Sequence, residues 1–155
     1  MYCFKASQKL HTSVEQAWDF ISAPLNLELI SPPSVQMKIL GNMKASDRIY
    51  KGQLIEHKLR HITGANIRWV SLISEVKPQE FFVDEQSYGP FKSWCHQHIL
   101  KPQDDGVVME DIIHYSIPFG LIGRLANFLF VRRKLKSVFE YRRMVLSSLF
   151  TKQKL

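Results

Sequence analysis

The sequence of 155 residues predicts an α+β fold in which a curved antiparallel sheet surrounds one long C-terminal α-helix. Two observations predict this fold. First, segments of alternating polar and apolar residues follow one another up to residue 117, as expected for strands with one buried face. Second, apolar residues recur at three- and four-residue steps from Gly120 onward, as expected for an amphipathic helix. A helix laid across a curved sheet buries both apolar faces, so we expect a single domain over residues 1–155.

The N-terminal part is predicted to contain one strand and two short helices. Residues 2–10 alternate weakly, which is typical of a strand. Ser13 is a candidate N-cap, and Gln16 stands in the capping-box position of the first short helix. Pro24 ends that helix, and a second short helical segment ends at Pro32.

The middle of the chain is predicted to form a run of strands. Turn-forming residues separate five alternating segments, at about 35–41, 47–58, 64–76, 80–87 and 91–101. The sequence Gln103-Asp104-Asp105-Gly106 is typical of the tight turn of a hairpin. A last strand is predicted over 107–117 and ends before Pro118. The sheet is therefore expected to have about six to seven strands.

Charge is distributed unevenly along the chain. Residues 1–119 carry twelve Lys and Arg against thirteen Asp and Glu, whereas residues 120–155 carry nine against one. Basic residues that follow one helix are typical of a solvated helical face. A nucleic-acid-binding surface usually has aromatic residues among its Lys and Arg, so we expect no nucleic acid partner. Weak contact of this basic helix with a membrane surface or a partner protein stays an alternative.

Cysteine content and segment types indicate the compartment and exclude several kinds of site. Cys3 and Cys95 are too few for a disulfide framework, which indicates a reducing environment. The N-terminus lacks the plan of a signal peptide, so we expect a cytoplasmic protein. The sequence contains no nucleophile elbow, glycine-rich phosphate loop or paired Cys-x-x-Cys motif, and we expect no cofactor.

The segment 84–98 is the most informative for function. A Gly-Pro turn separates two alternating segments within it, and side chains two residues apart on a strand share a face. The polar and aromatic residues that share a face are Asp84 and Gln86 on the first strand, and Trp94, His96 and His98 on the second. A sheet that needed only a core would have no reason to gather them.

Two further strands add residues to this set. The more apolar face of 107–117 also carries Asp111 and Tyr115, and the more apolar face of 64–76 carries Trp69. Hydrophobicity alone does not distinguish the two faces of 91–101. The bulk of Trp94 and the neighbouring Asp111 favour an inward direction for His96 and His98, which a one-residue bulge would reverse. The remaining histidines, His11, His57, His61 and His114, are interpreted as surface residues.

The element order and several motifs resemble one superfamily. The motifs are Asn26-Leu27, Ser31-Pro32-Pro33, Phe82-Val83-Asp84-Glu85-Gln86, Gly89-Pro90-Phe91, Trp94, His96, His98, Asp111, Tyr115, Pro118 and Phe139-Glu140-Tyr141-Arg142. The chain resembles the SRPBCC superfamily, which includes START lipid-transfer domains, birch-pollen-allergen-like proteins and polyketide cyclases. Within it, the motifs look like a bacterial branch often called CoxG-like or cell-division-inhibitor-like. The resemblance implies a helix-grip fold and a hydrophobic ligand cavity, and it implies no established reaction.

Three interpretations of the polar set stay open. The residues could form a satisfied hydrogen-bond network that fixes the strands. They could orient an amphipathic ligand, such as a lipid, a polyketide or a quinone-like molecule. They could also perform chemistry, because His96, His98 and Asp111 offer a general base and its partner for a polyketide cyclase or aromatase, and His-x-His pairs can bind a metal.

We expect a binding protein rather than an enzyme, with no catalytic and no metal-ligating residue. The expected partner is a hydrophobic small molecule held between the sheet and the C-terminal helix. The candidate ligand-binding residues are Trp69, Asp84, Gln86, Trp94, His96, His98, Asp111 and Tyr115. This hypothesis predicts an internal cavity lined by Trp69, Trp94 and Tyr115. The alternatives are the cyclase-like enzyme and a module that delivers a lipid or quinone-like molecule to a membrane or a partner enzyme.

Overall fold

A computed structural model describes residues 1–60 and 65–151 and confirms the predicted α+β fold. The strands are β1 (Tyr2–Leu10), β2 (Lys38–Ile39), β3 (Leu54–Arg60), β4 (Asn66–Lys77), β5 (Phe81–Tyr88), β6 (Ser93–Gln103) and β7 (Gly106–Ser116). The helices are α1 (Val14–Ile21), α2 (Asn26–Leu29), α3 (Gly120–Ala126) and α4 (Arg132–Leu149), and a π-helical turn (Asn127–Val131) joins α3 to α4. The predicted start of a strand at 64 and the interpretation of His61 lie outside the described residues.

The strands of the described residues form one antiparallel sheet in the order β1-β7-β6-β5-β4-β3-β2. β1 pairs with β7 over its whole length, from Tyr2 opposite Tyr115 to Leu10 opposite Val107. The other neighbours in the sheet follow one another along the chain, so β2 to β7 form a continuous meander. This order brings β5, β6 and β7 side by side, and these strands carry the polar residues singled out above.

Four predicted strands agree with β4, β5, β6 and β7 to within two residues at each described end. Two other predictions were wrong in extent. The strand expected over 35–41 is only Lys38–Ile39, because residues 32–36 turn, with the Val35 amide bonded to the Pro32 carbonyl (2.8 Å). The strand expected over 47–58 begins at Leu54, because a turn around Gly52, with φ of 88°, precedes it.

The hairpin between β6 and β7 has a two-residue loop that lies one position earlier than Asp105-Gly106 would place it. Gln103 pairs with Gly106, so Asp104 and Asp105 are the two loop residues. Gly106 has a φ of 148°, and a Cβ at this position would lie 2.2 Å from the Leu10 carbonyl oxygen. Glycine therefore allows β1 and β7 to approach closely at this end of the sheet.

Helix α1 begins as the sequence predicts. The Ser13 hydroxyl accepts a hydrogen bond from the Gln16 amide (3.2 Å), which is the expected N-cap contact. Ala17 of α1 is fully buried in a core cluster with Leu10 and Leu146. This cluster packs α1 against the sheet and the C-terminal part of α4, and it fills one end of the interior.

The C-terminal helical segment runs from Gly120 to Leu149, and the π-helical turn interrupts it. The side chains that α4 buries are Leu135, Phe139, Arg142 and Leu146, whose spacing matches the predicted stripe. The predicted stripe was wrong at its N-terminal end, where Leu121, Leu125 and Phe128 are 78%, 59% and 73% exposed. Within α3 the buried residue is Gly123. This helix therefore contacts the rest of the protein through a glycine, and its large apolar side chains point to solvent. None of the helices in the described residues has the length and apolar character needed to cross a membrane.

A candidate ligand site: a polar cluster beside an apolar cavity

A cavity of about 520 Å³ lies between the sheet and the helical segments. Its volume is within the range of small-molecule sites, which is roughly 300–1,000 Å³. Apolar side chains form most of its wall, including Ile55, Ile73 and Phe82 from the sheet and Leu135 and Phe139 from α4. Such a wall favours a ligand that is largely hydrocarbon or aromatic.

Strand alternation explains why a polar cluster faces this cavity. On β7, every second residue from Val107 to Tyr115 is buried, so Asp111 points inward as predicted. On β6 the buried set includes His96 and His98, which are 5% and 7% exposed. The strand pairing places Asp84 opposite His96 and His98 opposite Asp111. Two histidines and two carboxylates from three adjacent strands therefore meet on one face.

The four side chains form a closed set of contacts. His98 faces both carboxylates, with Nε2 2.9 Å from Asp84 Oδ2 and Nδ1 3.1 Å from Asp111 Oδ1. His96 donates from Nε2 to Asp111 Oδ1 (2.9 Å), and its Nδ1 lies 3.5 Å from Asp84 Oδ2. The two imidazole centroids are 3.7 Å apart, and the Phe82 ring stacks on His98 at 4.1 Å. Each carboxylate thus has partners, and Asp111 is buried while Asp84 is partly buried.

Arg142 of α4 completes the cluster from the opposite side. Its Nη1 lies 3.5 Å from Asp111 Oδ1, and its guanidinium lies 4.5 Å from the centre of the Phe139 ring. The side chain is buried, and its Nε and Nη1 lack a hydrogen-bond partner within the described part of the chain. Arg142 is one of the residues that line the cavity.

The protonation states follow from the contacts. Burial works to raise the pKa of Asp84 and Asp111, but the hydrogen bonds from the histidines outweigh it and leave both pKa values lowered. Burial works to lower the pKa of His98, yet its contacts with both carboxylates leave this pKa raised. Burial and the charge of His98 lower the pKa of His96. The opposite directions of the two histidine pKa values mean that His98, rather than His96, carries the proton as pH decreases, between two carboxylates and beside Arg142.

His57 is a further ionisable residue beside the cavity, and its interpretation as a surface residue was wrong. It is 5% exposed and lines the cavity from β3, where its ring stacks on Trp69 with centroids 5.8 Å apart. Burial lowers the pKa of His57 to about 4, so the imidazole is neutral. Its Nδ1 is buried without a hydrogen-bond partner in the described residues.

The phase of β3 contained the signal for His57. Ile55, His57 and Leu59 alternate with Leu54, Glu56 and Lys58, and the first set is the more apolar. Extending the predicted strand back to residue 47 obscured this alternation, because the residues before Leu54 form a turn. Arg142 was recognised as a member of the helical stripe, but the sequence did not indicate which strand residue it faces.

The structure brings most of the predicted ligand-binding residues to the cavity. Those that line it are Trp69, Asp84, Trp94, His96 and His98. Asp111 lies behind the histidines and contacts Arg142. Gln86 and Tyr115 do not line the cavity. Gln86 instead bonds to the Phe91 backbone through Nε2 (2.8 Å) and Oε1 (3.1 Å), and Tyr115 donates to Asn127 Oδ1 (2.8 Å).

Three side chains of the cluster have the donor set of a metal site. One ligand atom each from Asp84, His96 and His98 lies within 4.8 Å of the others. The same atoms are engaged with one another, and Arg142 adds a positive charge beside Asp111. A divalent cation would have to displace the proton that bridges His98 and Asp84. The arrangement is therefore more suited to a hydrogen-bond network than to metal coordination.

Comparisons with known proteins place this geometry in a structural context. No protein-family model matches the chain. No curated protein matches it either. Solved structures do match, and one is a protein of Chromobacterium violaceum with a TM-score of 0.72 and 12% identity, over 97% of this chain and 98% of that one.

Two further structures have the same fold. A START superfamily protein of Mycobacterium smegmatis matches with a TM-score of 0.70 and 10% identity, over 97% of each chain. A protein of Thermus thermophilus matches with a TM-score of 0.69 and 12% identity, over 96% of this chain and 99% of that one. The predicted helix-grip fold is thus confirmed. The narrower resemblance to the CoxG-like branch stays a prediction.

Proposed function

We propose that this protein binds a hydrophobic or amphipathic small molecule, such as a lipid, a polyketide or a quinone-like compound, in the cavity between the sheet and α4, without catalysis. The observation that carries the proposal is the cavity of about 520 Å³ with apolar walls and polar groups on one side. The START-like fold supports the same class of function. The compartment indicated by the cysteine content is the cytoplasm.

The unpaired polar atoms define the chemistry of the ligand's polar end. His57 Nδ1 is a neutral acceptor or donor, and Arg142 offers Nε and Nη1 as donors. A ligand hydroxyl can donate to His57, and a ligand carbonyl can accept from Arg142. The charges of Arg142 and Asp111 already neutralise each other, so the site favours a neutral polar group over a free carboxylate. We therefore propose a ligand with a hydroxyl or carbonyl group on a hydrophobic body.

The test is to fill the cavity. Ala126 lines the cavity and is half-buried, so Ala126→Trp would occupy space near its entrance. Protein purified from its own host, with and without this substitution, would be analysed by native mass spectrometry and solvent extraction. We expect a co-purified small molecule on the wild-type protein and its loss from the variant.

The matched control is Ala45→Trp, because Ala45 is exposed on a loop and does not line the cavity. This variant should retain the co-purified molecule. Wild-type protein that carries no molecule and binds no apolar fluorescent probe in titration would refute the proposal.

A second candidate function is acid–base catalysis by the cluster, as in a polyketide cyclase or aromatase. The observation that favours it is that His96 and His98, each bonded to a carboxylate, line the cavity. The contacts argue against it, because both ring nitrogens of His98 face carboxylates, which also raise the pKa of this histidine. A general base needs a free nitrogen directed at the substrate. Replacement of Asp111 by Asn would abolish such a reaction, whereas binding by apolar contact would survive in any folded variant.

A further inference from the structure

An exposed apolar patch adjoins the wall of the cavity, and we infer that the cavity opens there, because Phe119 and Phe130 belong to both. It consists of side chains from α3, the π-helical turn and the preceding residue, and its members are Phe119, Leu121, Ile122, Leu125, Phe128 and Phe130. Their exposed fractions are 79%, 78%, 76%, 59%, 73% and 54% in that order. Leu129, which is 37% exposed, lies among them. Seven large apolar side chains exposed within twelve residues are unusual for a protein surface in water, and such patches mark interaction sites.

Charge identifies the kind of surface that this patch fits. From residue 112 to residue 139 the sequence contains no Asp or Glu. Arg124, Arg132, Arg133 and Lys136 lie in the same segment and are exposed. Apolar side chains next to exposed cations are the arrangement by which a helix binds the surface of a bilayer with anionic headgroups. A second copy of this chain is a poorer occupant, because a symmetric contact would bring two positive surfaces together.

The patch is continuous with the wall of the cavity. Phe119 and Phe130 are exposed and also line the cavity, and Pro118 and Ala126 line it beside them. A protein resting on a bilayer by this patch would have the cavity entrance against the lipid. A hydrophobic ligand would then pass between bilayer and cavity without crossing water, which avoids the cost of exposing its apolar surface.

We propose that the apolar patch docks on an anionic lipid bilayer and presents the cavity entrance to it. The biological purpose of this docking rests on the proposed ligand-binding function. The docking itself requires no ligand. In this proposal, the bilayer is the source or the destination of the molecule that the cavity holds.

The test is co-sedimentation with vesicles of defined composition. Vesicles of equal parts phosphatidylglycerol and phosphatidylcholine would be compared with vesicles of phosphatidylcholine alone, at low and high salt. We expect binding to the anionic vesicles that weakens as salt increases, because ions screen the attraction. Arg132→Gln/Arg133→Gln should weaken binding about thirtyfold, since each cation near an anionic surface contributes about fivefold.

The apolar contribution is tested by a triple variant, Leu121→Ser/Ile122→Ser/Phe128→Ser. None of these residues lines the cavity, so the variant removes apolar area from the patch alone. We expect it to weaken vesicle binding by more than about tenfold. The matched control is Leu29→Ser/Leu54→Ser/Met144→Ser, which removes three exposed apolar side chains elsewhere and should bind like the wild type.

Three results would overturn the proposal: no sedimentation of the wild-type protein with anionic vesicles, equal loss in both triple variants, or a wild-type dimer that the patch variant converts to a monomer. Probe binding without vesicles separates this proposal from the ligand-binding one. Both triple variants should bind an apolar fluorescent probe like the wild type. If a variant loses vesicle binding but keeps probe binding, the result therefore bears on the docking patch alone. If the wild type binds no probe, the result contradicts the ligand-binding proposal and not the docking proposal.

Discussion

The guanidinium of Arg142 faces the carboxylate of Asp111, with Nη1 3.5 Å from Oδ1, and both side chains are buried. This contact joins α4 to β7 at the polar side of the cavity. The carboxylate of Asp111 also accepts from His96 and contacts His98, so the ion pair belongs to a larger network. Removal of one member would leave the remaining charges uncompensated, and breaking buried pairs in this way is strongly destabilising.

Arg142→Met is therefore expected to lower the free energy of unfolding by about 3–5 kcal/mol, which denaturant titration measures. The matched control is the neighbouring Arg143→Met. Arg143 is exposed, and its side chain donates to the Ser7 carbonyl (3.1 Å), so this change should cost less than about 1 kcal/mol. Equal losses in the two variants would contradict a structural role for the buried charge.

The protonation of the cluster can be measured directly. In NMR titration of labelled histidine, we expect the pKa of His98 to lie above the ordinary histidine value, and the pKa values of His96 and His57 to lie below it. Asp84→Asn removes one of the two carboxylates that hold the proton on His98, so the pKa of His98 should fall. An unchanged titration of His98 in this variant would show that Asp84 does not stabilise the imidazolium.

His57 makes the stability of the protein depend on pH. Its pKa in the folded state is about 4, below the ordinary value of 6.5. The unfolded chain therefore binds a proton that the folded chain does not, and stability falls as pH decreases from about 6.5 to about 4. Between about pH 7.5 and 5, this histidine should account for about 2 kcal/mol of lost stability.

The comparison of wild type with His57→Gln isolates this effect. His96 and His98 remain in both proteins, so their contributions largely cancel in the difference. We expect the difference in unfolding free energy between the two proteins to move in favour of the variant as pH decreases. Parallel pH profiles in denaturant titration would mean that His57 is not buried in its neutral form.

Binding of paired probes tests the polar contact that His57 offers. Naphthalene and 2-naphthol differ by one hydroxyl, which can donate to the free Nδ1 of His57. His57→Leu should weaken 2-naphthol binding about tenfold and leave naphthalene binding nearly unchanged. The control Ile55→Val shortens another cavity residue and should weaken both probes to a similar extent. A similar change in the affinity for both probes in His57→Leu would show that His57 does not bind the hydroxyl of the ligand.

Much of this fold and part of the site could be predicted because alternation within a strand is a local property. The phase of β7 placed Asp111 on the buried face. The two faces of β6 were not distinguished by hydrophobicity, and the bulk of Trp94 and the neighbouring Asp111 favoured the inward direction of His96 and His98 that the structure has. The contact between Arg142 and Asp111 joins residues that are distant along the chain, and it depends on how α4 lies on the sheet. Sequence periodicity does not specify that position. It therefore indicated a buried arginine without indicating its partner.

The apolar repeat of the C-terminal helix also gave a wrong prediction of burial at its N-terminal end, where packing against other elements decides which side chains are exposed. Leu121 and Phe128 continue the apolar repeat of α4, yet both are exposed. The repeat identifies which residues share a helical face, but burial requires another element opposite that face. The π-helical turn between α3 and α4 changes the helical phase as well, and the repeat gave no sign of it.

The π-helical turn is expected to depend on the contact between Tyr115 and Asn127. The Tyr115 hydroxyl donates to Asn127 Oδ1 (2.8 Å), and both residues are buried. Asn127→Ala leaves this hydroxyl without its partner, which should cost about 1–3 kcal/mol of stability. Tyr115→Phe/Asn127→Ala should cost less than the two single changes added together, because neither unpaired group remains. Strict additivity in denaturant titration would show that the contact does not stabilise the turn, and the apolar patch would then be held by α3 packing alone.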